Sequence, residues 1–234
     1  MLFRTRSYEL ELIDIGDTQY SQDEYTHCLY QLGRIGRLML SDRLTIQALR
    51  RLHEPINSIL DVGCGGGSFT ERLAQEYPNA KVVGIDISKH AIAYAQRKMS
   101  REKSNLSFAV PATPELNEPY KSYDIVTSTL VCHHLDNPTI IDFLQRAAKV
   151  ARKAIVINDL HRHWLAYAGF SVIAPLFFRN RLIMHDGLLS IKRAFTRDDW
   201  RIFLEQAGFK PSQYTIRWGL AFRWIVTIDT KDMV

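Results

Sequence analysis

Asp61 and Asp86 frame a glycine-rich stretch, Asp61-Val62-Gly63-Cys64-Gly65-Gly66-Gly67-Ser68, whose residue types and spacing describe a site for a nucleoside-containing cofactor. Glycines let a chain turn tightly and bring backbone N–H groups against a ligand, and the start of a following helix leaves further N–H groups free. Asp86 ends a second apolar run about 20 residues downstream, where a carboxylate can accept both hydroxyls of a ribose. A pyrophosphate cofactor fits less well. Counting from Gly63, a dinucleotide fingerprint needs glycine at the sixth position, which is Ser68, and Asp61 sets a negative charge where phosphates would approach. A cationic nucleoside suits both features.

A second polar group lies in Thr129-Leu130-Val131-Cys132-His133-His134-Leu135-Asp136-Asn137-Pro138. Histidine titrates near neutral pH and can take a proton from a hydroxyl. Alternation turns one of the pair toward the site, and His133 is expected to be that one. Cys132 reads as a core residue rather than a nucleophile. Asn158-Asp159-Leu160-His161-Arg162-His163-Trp164 adds a further cluster after the next strand that could bind substrate, with Asp159 a catalytic candidate beside the histidines or, more simply, a hydrogen-bonding partner or helix cap. Asp159 and the histidines lack the carboxylates of a hard-cation cage, so no metal is expected.

The elements that must position these residues alternate. Strands are expected at 58–62, 81–86, 106–110, 123–129 and 154–159, with helices at 68–77, 88–101 and 138–151. Strands separated by helices of this length imply an α/β, Rossmann-like, doubly wound and mostly parallel sheet, which binds ligands beyond the carboxyl ends of its strands. Thr196 to Asp199 reads as a capping box for a helix reaching about Ala207 and stopped by Gly208. Strands at about 212–218 and 222–229 bring the total to seven. Residues 1–54 read as an N-terminal helical cap outside the main fold and 55–234 as the catalytic domain. The apolar stretch Trp164 to Phe178 belongs to a helical lid inserted at about 160–195, its aromatics covering an apolar substrate.

The chain has 234 residues, 46% hydrophobic and 24% charged, with a net charge of +5, which excludes disordered and collagen-like classes. Its positive charge is scattered, the densest run being Arg97 to Lys103 at a solvated helix end, so a dedicated nucleic-acid face is not expected. Three cysteines, Cys28, Cys64 and Cys132, have no metal-type spacing and fit a reducing, cytoplasmic setting. Neither an export signal nor a stretch long enough for stable membrane insertion is visible.

Ile59 to Gly67 resembles motif I of the class I S-adenosylmethionine-dependent methyltransferases, and Val83-Gly84-Ile85-Asp86-Ile87-Ser88 resembles their next motif. The likeness continues through Tyr123-Asp124-Ile125-Val126, Leu130 to Leu135 and Ala207-Gly208-Phe209, covering about residues 55–230. It implies S-adenosyl-L-methionine as cofactor, with Gly63 and Gly65 under its methionyl part, Asp61 near its ammonium, Asp86 on the ribose and Ile87 on the adenine. Cys64, Ala112 and Thr129 complete the expected contacts. One departure stands out. Phe108-Ala109-Val110-Pro111-Ala112-Thr113 lacks the acid that reads adenine in many relatives, leaving a backbone carbonyl or Thr113 to substitute.

The motifs of nucleic-acid methylating members, Asn-Pro-Pro-aromatic or a Pro-Cys nucleophile, are absent after the fourth strand. The pattern Asp159-Leu160-x-Arg162, Asp186-Gly187 and Ser190-x-x-Arg193-Ala194-Phe195 is similar to a bacterial subfamily with some members beside polyketide-type biosynthesis genes, implying O- or C-methylation of a small aromatic or quinone-like acceptor. The competing readings are a NAD-dependent oxidoreductase and a non-catalytic S-adenosylmethionine-binding partner subunit. The N-terminal helices could also serve a homodimer interface.

Overall fold

A computed structural model describes residues 3–16, 18–38, 41–99 and 104–231. Seven strands form one sheet: β1 (Ser58–Val62), β2 (Lys81–Ile85), β3 (Leu106–Ala109), β4 (Tyr123–Thr129), β5 (Ala151–Leu160), β6 (Tyr214–Gly219) and β7 (Arg223–Asp229). Their order is β3-β2-β1-β4-β5-β7-β6, with β7 the antiparallel strand inserted beside β5. β5 begins earlier than the sequence suggests because the chain leaves the preceding helix at Val150 directly into extended backbone.

Strict alternation inside the strands feeds two cores. Ile59, Val82, Ile125, Val156 and Ile225 face one side, where α3 (Ser41–Arg50), α4 (Ser68–Glu76) and α5 (Lys89–Met99) cover them with Ile46, Leu49, Leu73 and Ile92. Leu60, Val126, Ile155, Ile157 and Val226 face the other, against Ile140, Phe143 and Leu144 of α6 (Asn137–Val150) and Trp200, Phe203 and Leu204 of α9 (Arg197–Gln206). Both faces of the central strands are apolar because both are covered. The capping box of α9 is present, Thr196 Oγ1 accepting from Asp199 N and Asp199 Oδ2 accepting from Thr196 N.

The N-terminal residues are less separate than their sequence implies. α3 is part of the layer on the sheet, Asn158 of β5 donating to Ser41 O and Thr45 Oγ1. α2 (Gln22–Leu38) bridges two neighbours, packing Leu29 against Ala91 and Tyr94 of α5, and Cys28 against Leu182 and Ile183 of α8 (Arg181–Arg193). Before it, residues 3–16, which include the short α1 (Leu12–Ile15), lie along α8: Ser7 N donates to Lys192 O, and Leu12 N and Ile13 N donate to the Asp186 carboxylate. α7 (Trp164–Phe177) and α8 follow β5 and precede α9. The basic run at 97–103 begins on exposed Arg97 and Lys98 of α5, and residues 100–103 lie outside the described residues.

Candidate functional site

The carboxyl ends of β1, β2 and β4 open into a cavity of about 620 Å³. Its floor is the glycine loop. Gly63, Gly65 and Gly67 have φ of +73°, +51° and +79°, values that favour glycine, and a Cβ on Gly63 would sit 2.3 Å from Val131 Cγ2. Gly63 N and Cys64 N both donate to Ile85 O, tying the loop to the end of β2. Asp86 then clamps it from the side, Oδ2 accepting from Gly65 N at 2.8 Å and Oδ1 from Ser88 N at 2.8 Å. Burial pushes its carboxyl up, opposed by those two bonds.

Asp61 is buried below the loop and accepts one hydrogen bond in its vicinity, from Thr70 Oγ1 at 2.6 Å. Desolvation, with the nearby charges of Asp86 and Asp42, pushes it up to about 7 despite that bond. A dry carboxylate beside a glycine cradle is a place for a cation. Ile87, 68% exposed, stands at the rim, and Cys64 and Thr129 line the wall, the Thr129 hydroxyl being buried without a partner. Asp61, Gly63, Cys64, Gly65, Asp86, Ile87 and Thr129 are thus brought together as expected.

Ala112 is not. It is exposed and outside the cavity lining, as is Thr113, whose hydroxyl donates to Glu115 O. Pro111 turns this loop so that Pro114, Glu115 and Leu116 face the cavity instead. Glu115 is therefore the carboxylate on the wall after β3. Its displacement from the strand end hid it from sequence reading.

The histidine pair is reversed from expectation. Leu130, at φ +60°, swings the chain out of β4 into a single 3₁₀ turn at Cys132–His134, so strand alternation no longer applies. His134 lines the cavity, whereas His133 is buried behind it. His133 Nδ1 is 2.7 Å from Asp159 Oδ1, and Asp159 Oδ2 accepts from His133 N. Burial works against charge on Asp159, but His133 and the Leu160 N–H outweigh it and hold the carboxyl below its usual range. Asp159 anchors this turn from within. Cys132 is a core residue, as expected.

His134 Nδ1 lies 2.8 Å from Asp14 Oδ1. Because a carboxylate can only accept, the ring proton sits on Nδ1 and Nε2 carries the free lone pair. Desolvation opposes charging His134, but the Asp14 bond and the charges of Glu11, Asp14 and Asp159 prevail and raise its pKa. The turn is also gripped by two arginines: Arg193 donates to the His133 and His134 carbonyls, and Arg6 to those of His133 and Leu135. Arg6, Glu11 and Asp14 escaped sequence reading because they belong to a segment far from any motif, and Arg193, named only within the Ser190 to Phe195 pattern, was not tied to the histidine turn.

Glu11, His133 and His134 offer ligand atoms within 4.8 Å of one another, a grouping that could hold a metal ion. These carboxylates already have protein partners: Arg193 lies 3.8 Å from Glu11 and 3.4 Å from Asp14, and Ser190 donates to Glu11. His161 and His163 stand elsewhere. His161 packs on Trp224 and is lowered to about 4 by burial, with His163 and Arg162 nearby, while His163 caps α7 through Leu165 N.

The cavity cover differs too. Leu10, Ile13, Tyr20, Tyr25, Leu29 and Leu32 close it, all from the N-terminal 36 residues. None of Trp164, Tyr167, Phe170, Phe177 and Phe178 lines it. The expected aromatic cover is therefore supplied by α2 and its preceding segment, because α8 holds α7 away from the opening.

Residues 59–154 match a family described as a methyltransferase domain. Among curated proteins, the chain is similar to a ubiquinone biosynthesis O-methyltransferase of Bradyrhizobium diazoefficiens, 29% identical over 175 residues, 70% of this chain and 65% of that protein. It is also similar to a release factor glutamine methyltransferase of Koribacter versatilis, 31% identical over 111 residues, 47% of this chain and 35% of that protein. The chain thus spans less than two thirds of the length of these relatives. Among solved structures, a SAM dependent methyltransferase from Aquifex aeolicus shares the fold at a TM-score of 0.64 and 18% identity, covering 88% of this chain and 98% of that one. Magnesium protoporphyrin IX methyltransferase from Synechocystis, solved with SAH, gives 0.58 and 21%, covering 84% of each. With a methyltransferase domain over residues 59–154, its seven-stranded order and its acidic glycine-lined cradle, the chain is similar to the S-adenosylmethionine-dependent methyltransferases and shares their fold.

Proposed function

We propose that the protein methylates a hydroxyl oxygen of a small apolar acceptor, aromatic or quinone- or polyketide-like, with His134 as the general base. The observation that carries this reading is the His134–Asp14 pair standing in the wall of the cavity that also holds Asp61, Gly63 and Asp86. The cofactor fits the residues present: buried Asp61 and the Gly63–Gly65 cradle would hold its cationic amino-acid part, Asp86 its ribose, and Ile87 and Glu115 its base. When bound, S-adenosylmethionine supplies an electrophilic methyl on a sulfonium.

The chain's own work is alignment and proton removal. Holding acceptor and donor in line contributes up to about 7–11 kcal/mol to such a displacement. Asp14 fixes the tautomer of His134, leaving Nε2 to accept the hydroxyl proton, and the resulting imidazolium is stabilised by the neighbouring carboxylates. Leu10, Ile13, Tyr20, Tyr25 and Leu29 give the acceptor an apolar wall and keep water from the reaction. A mainly apolar cavity favours a small molecule over nucleic acid, and Arg193 supplies positive charge beside Glu11 where a metal would otherwise sit.

The test is incubation of the purified chain with methyl-labelled S-adenosylmethionine and a panel of catechols, hydroquinones and phenolic polyketides, with products identified by mass spectrometry and NMR. Label on a phenolic oxygen is expected. Label on carbon, or on a protein glutamine and none of the phenols, overturns the proposal, as does hydride transfer from NADH without methylation.

A further inference from the structure

The outer face of α7 does not line the cavity and is exposed among the described residues. Tyr167, Phe170 and Ala174, three to four residues apart, are the helix's inner row: Tyr167 rests on Phe3, and Phe170 fills the space beside Gly187 of α8, where a Cβ would come within 2.4 Å of its ring. The opposite side carries Leu165, Val172, Ile173 and Leu176, with Trp164 at one end and Phe177 at the other. These side chains are exposed, Val172 by 70%, Leu176 by 77% and Phe177 by 66%. A helix apolar nearly all round is ordinarily buried, and a contiguous exposed apolar face marks an interaction surface.

We propose that this face docks the protein on the surface of an anionic lipid bilayer, α7 lying in the interface rather than across it. Charge complementarity selects this occupant. Between Asp159 and Asp186 the chain has no carboxylate, yet it carries Arg162, Arg179, Arg181 and three histidines. Arg162 is spent on Asp199, Arg181 pairs with Glu24 and Lys192 lies over Tyr167 on the inner side of α7, but Arg179 is exposed just past the end of α7 and Arg4 is exposed on the segment beside it. An apolar face ending in Trp and Phe and flanked by bases is the pattern of a helix seated at the headgroup–acyl boundary. At 14 residues α7 is about 21 Å long, short of a roughly 30 Å hydrocarbon core, and no helix among the described residues can span one.

The patch continues past α7. His163 stacks on both Trp164 and Phe222, and Phe222 meets Trp218, which is 53% exposed near exposed Leu220. This second piece comes from the β6–β7 turn and adjoins the N-terminal end of α7, at the carboxyl end of β5. The proposed face therefore lies at the same edge of the sheet as the cavity. It does not depend on which acceptor the cavity takes.

Vesicle co-sedimentation of the full chain tests the proposal, comparing vesicles of phosphatidylcholine alone with vesicles containing phosphatidylglycerol. The expected result is binding to the anionic vesicles that weakens as salt rises, with Val172→Glu and Leu176→Glu each reducing it by roughly tenfold or more. Arg179→Glu should weaken binding to anionic vesicles and leave binding to neutral ones unchanged. Both positions on α7 point away from the fold, so calorimetric affinity for S-adenosylhomocysteine serves as the check that each variant is intact. Absence of binding by the wild-type chain, or equal binding by intact variants, overturns the proposal. So does a wild-type dimer in solution that Val172→Glu splits without any vesicle binding, which would assign the face to a second copy. Failure of the acceptor panel alone would not bear on it.

Discussion

Asp14 and His134 are 120 residues apart in sequence and share a 2.8 Å hydrogen bond at the edge of the cofactor cavity. The bond joins the N-terminal segment to the turn after β4 and makes residues 3–16 part of the site. Replacing His134 by Ala should lower turnover by about 10²–10⁴ while leaving cofactor affinity nearly unchanged, the usual range for a general base. Asp14→Asn should lower it less and move the acidic limb of the pH–rate profile. The sign follows from the raised pKa of His134: the base works when neutral, activity rises with pH through that pKa, and removing the Asp14 charge shifts the limb to lower pH. A profile that does not move would place the proton transfer elsewhere.

Asp61 predicts proton-linked binding of the cofactor. Its folded-state pKa of about 7 means that the unliganded protein carries a proton there at mildly acidic pH. A cationic ligand favours the ionised form, so binding below about pH 7 releases protons and affinity increases as pH rises toward 7. Titration calorimetry in buffers of different ionisation enthalpy reads the proton count. In the unliganded protein the same shift makes stability fall as pH rises from about 4 to 7, because the folded state binds the extra proton.

Asp86 holds the glycine loop through Gly65 N and Ser88 N as well as facing the cavity. Asp86→Ala should therefore weaken S-adenosylhomocysteine by about 1–3 kcal/mol. Unchanged calorimetric affinity would remove it from the cofactor site.

Asp159 predicts a stability effect. It is fully buried, held below its usual pKa, and bonded to His133 twice. Asp159→Ala should cost about 3–5 kcal/mol in denaturant unfolding, since it strands the buried His133 ring. Its contribution is present above about pH 4 and fades as pH falls through the lowered folded-state value.

Chelation should leave methyl transfer unaffected, because Arg193 lies against both the Glu11 and Asp14 carboxylates and Ser190 donates to Glu11, so these groups already have protein partners. Loss of activity with EDTA and its return with a divalent cation would instead assign Glu11, His133 and His134 to a metal.

The cofactor half of the molecule was legible in the chain because its determinants are local. A glycine loop needs residues that adopt positive φ, Asp61 and Asp86 sit at fixed offsets from strand ends, and continuous apolar runs such as Ile59-Leu60 and Ala154 to Ile157 state that both sheet faces are covered. The acceptor half was not legible, since its geometry comes from segments that meet only in three dimensions. His133 and His134 exchange the expected places because Leu130 leaves the strand with a positive φ and a 3₁₀ turn replaces alternation, a local choice stabilised by Arg6 and Arg193 from opposite ends of the chain. The aromatic insertion looked like a substrate cover, but which helix covers the opening depends on how α2, α7 and α8 pack, and α2 takes that place. Short-range sterics and periodicity thus determined the sheet and the cofactor cradle from sequence alone, whereas long-range packing decided the His134–Asp14 pair and the N-terminal wall of the cavity.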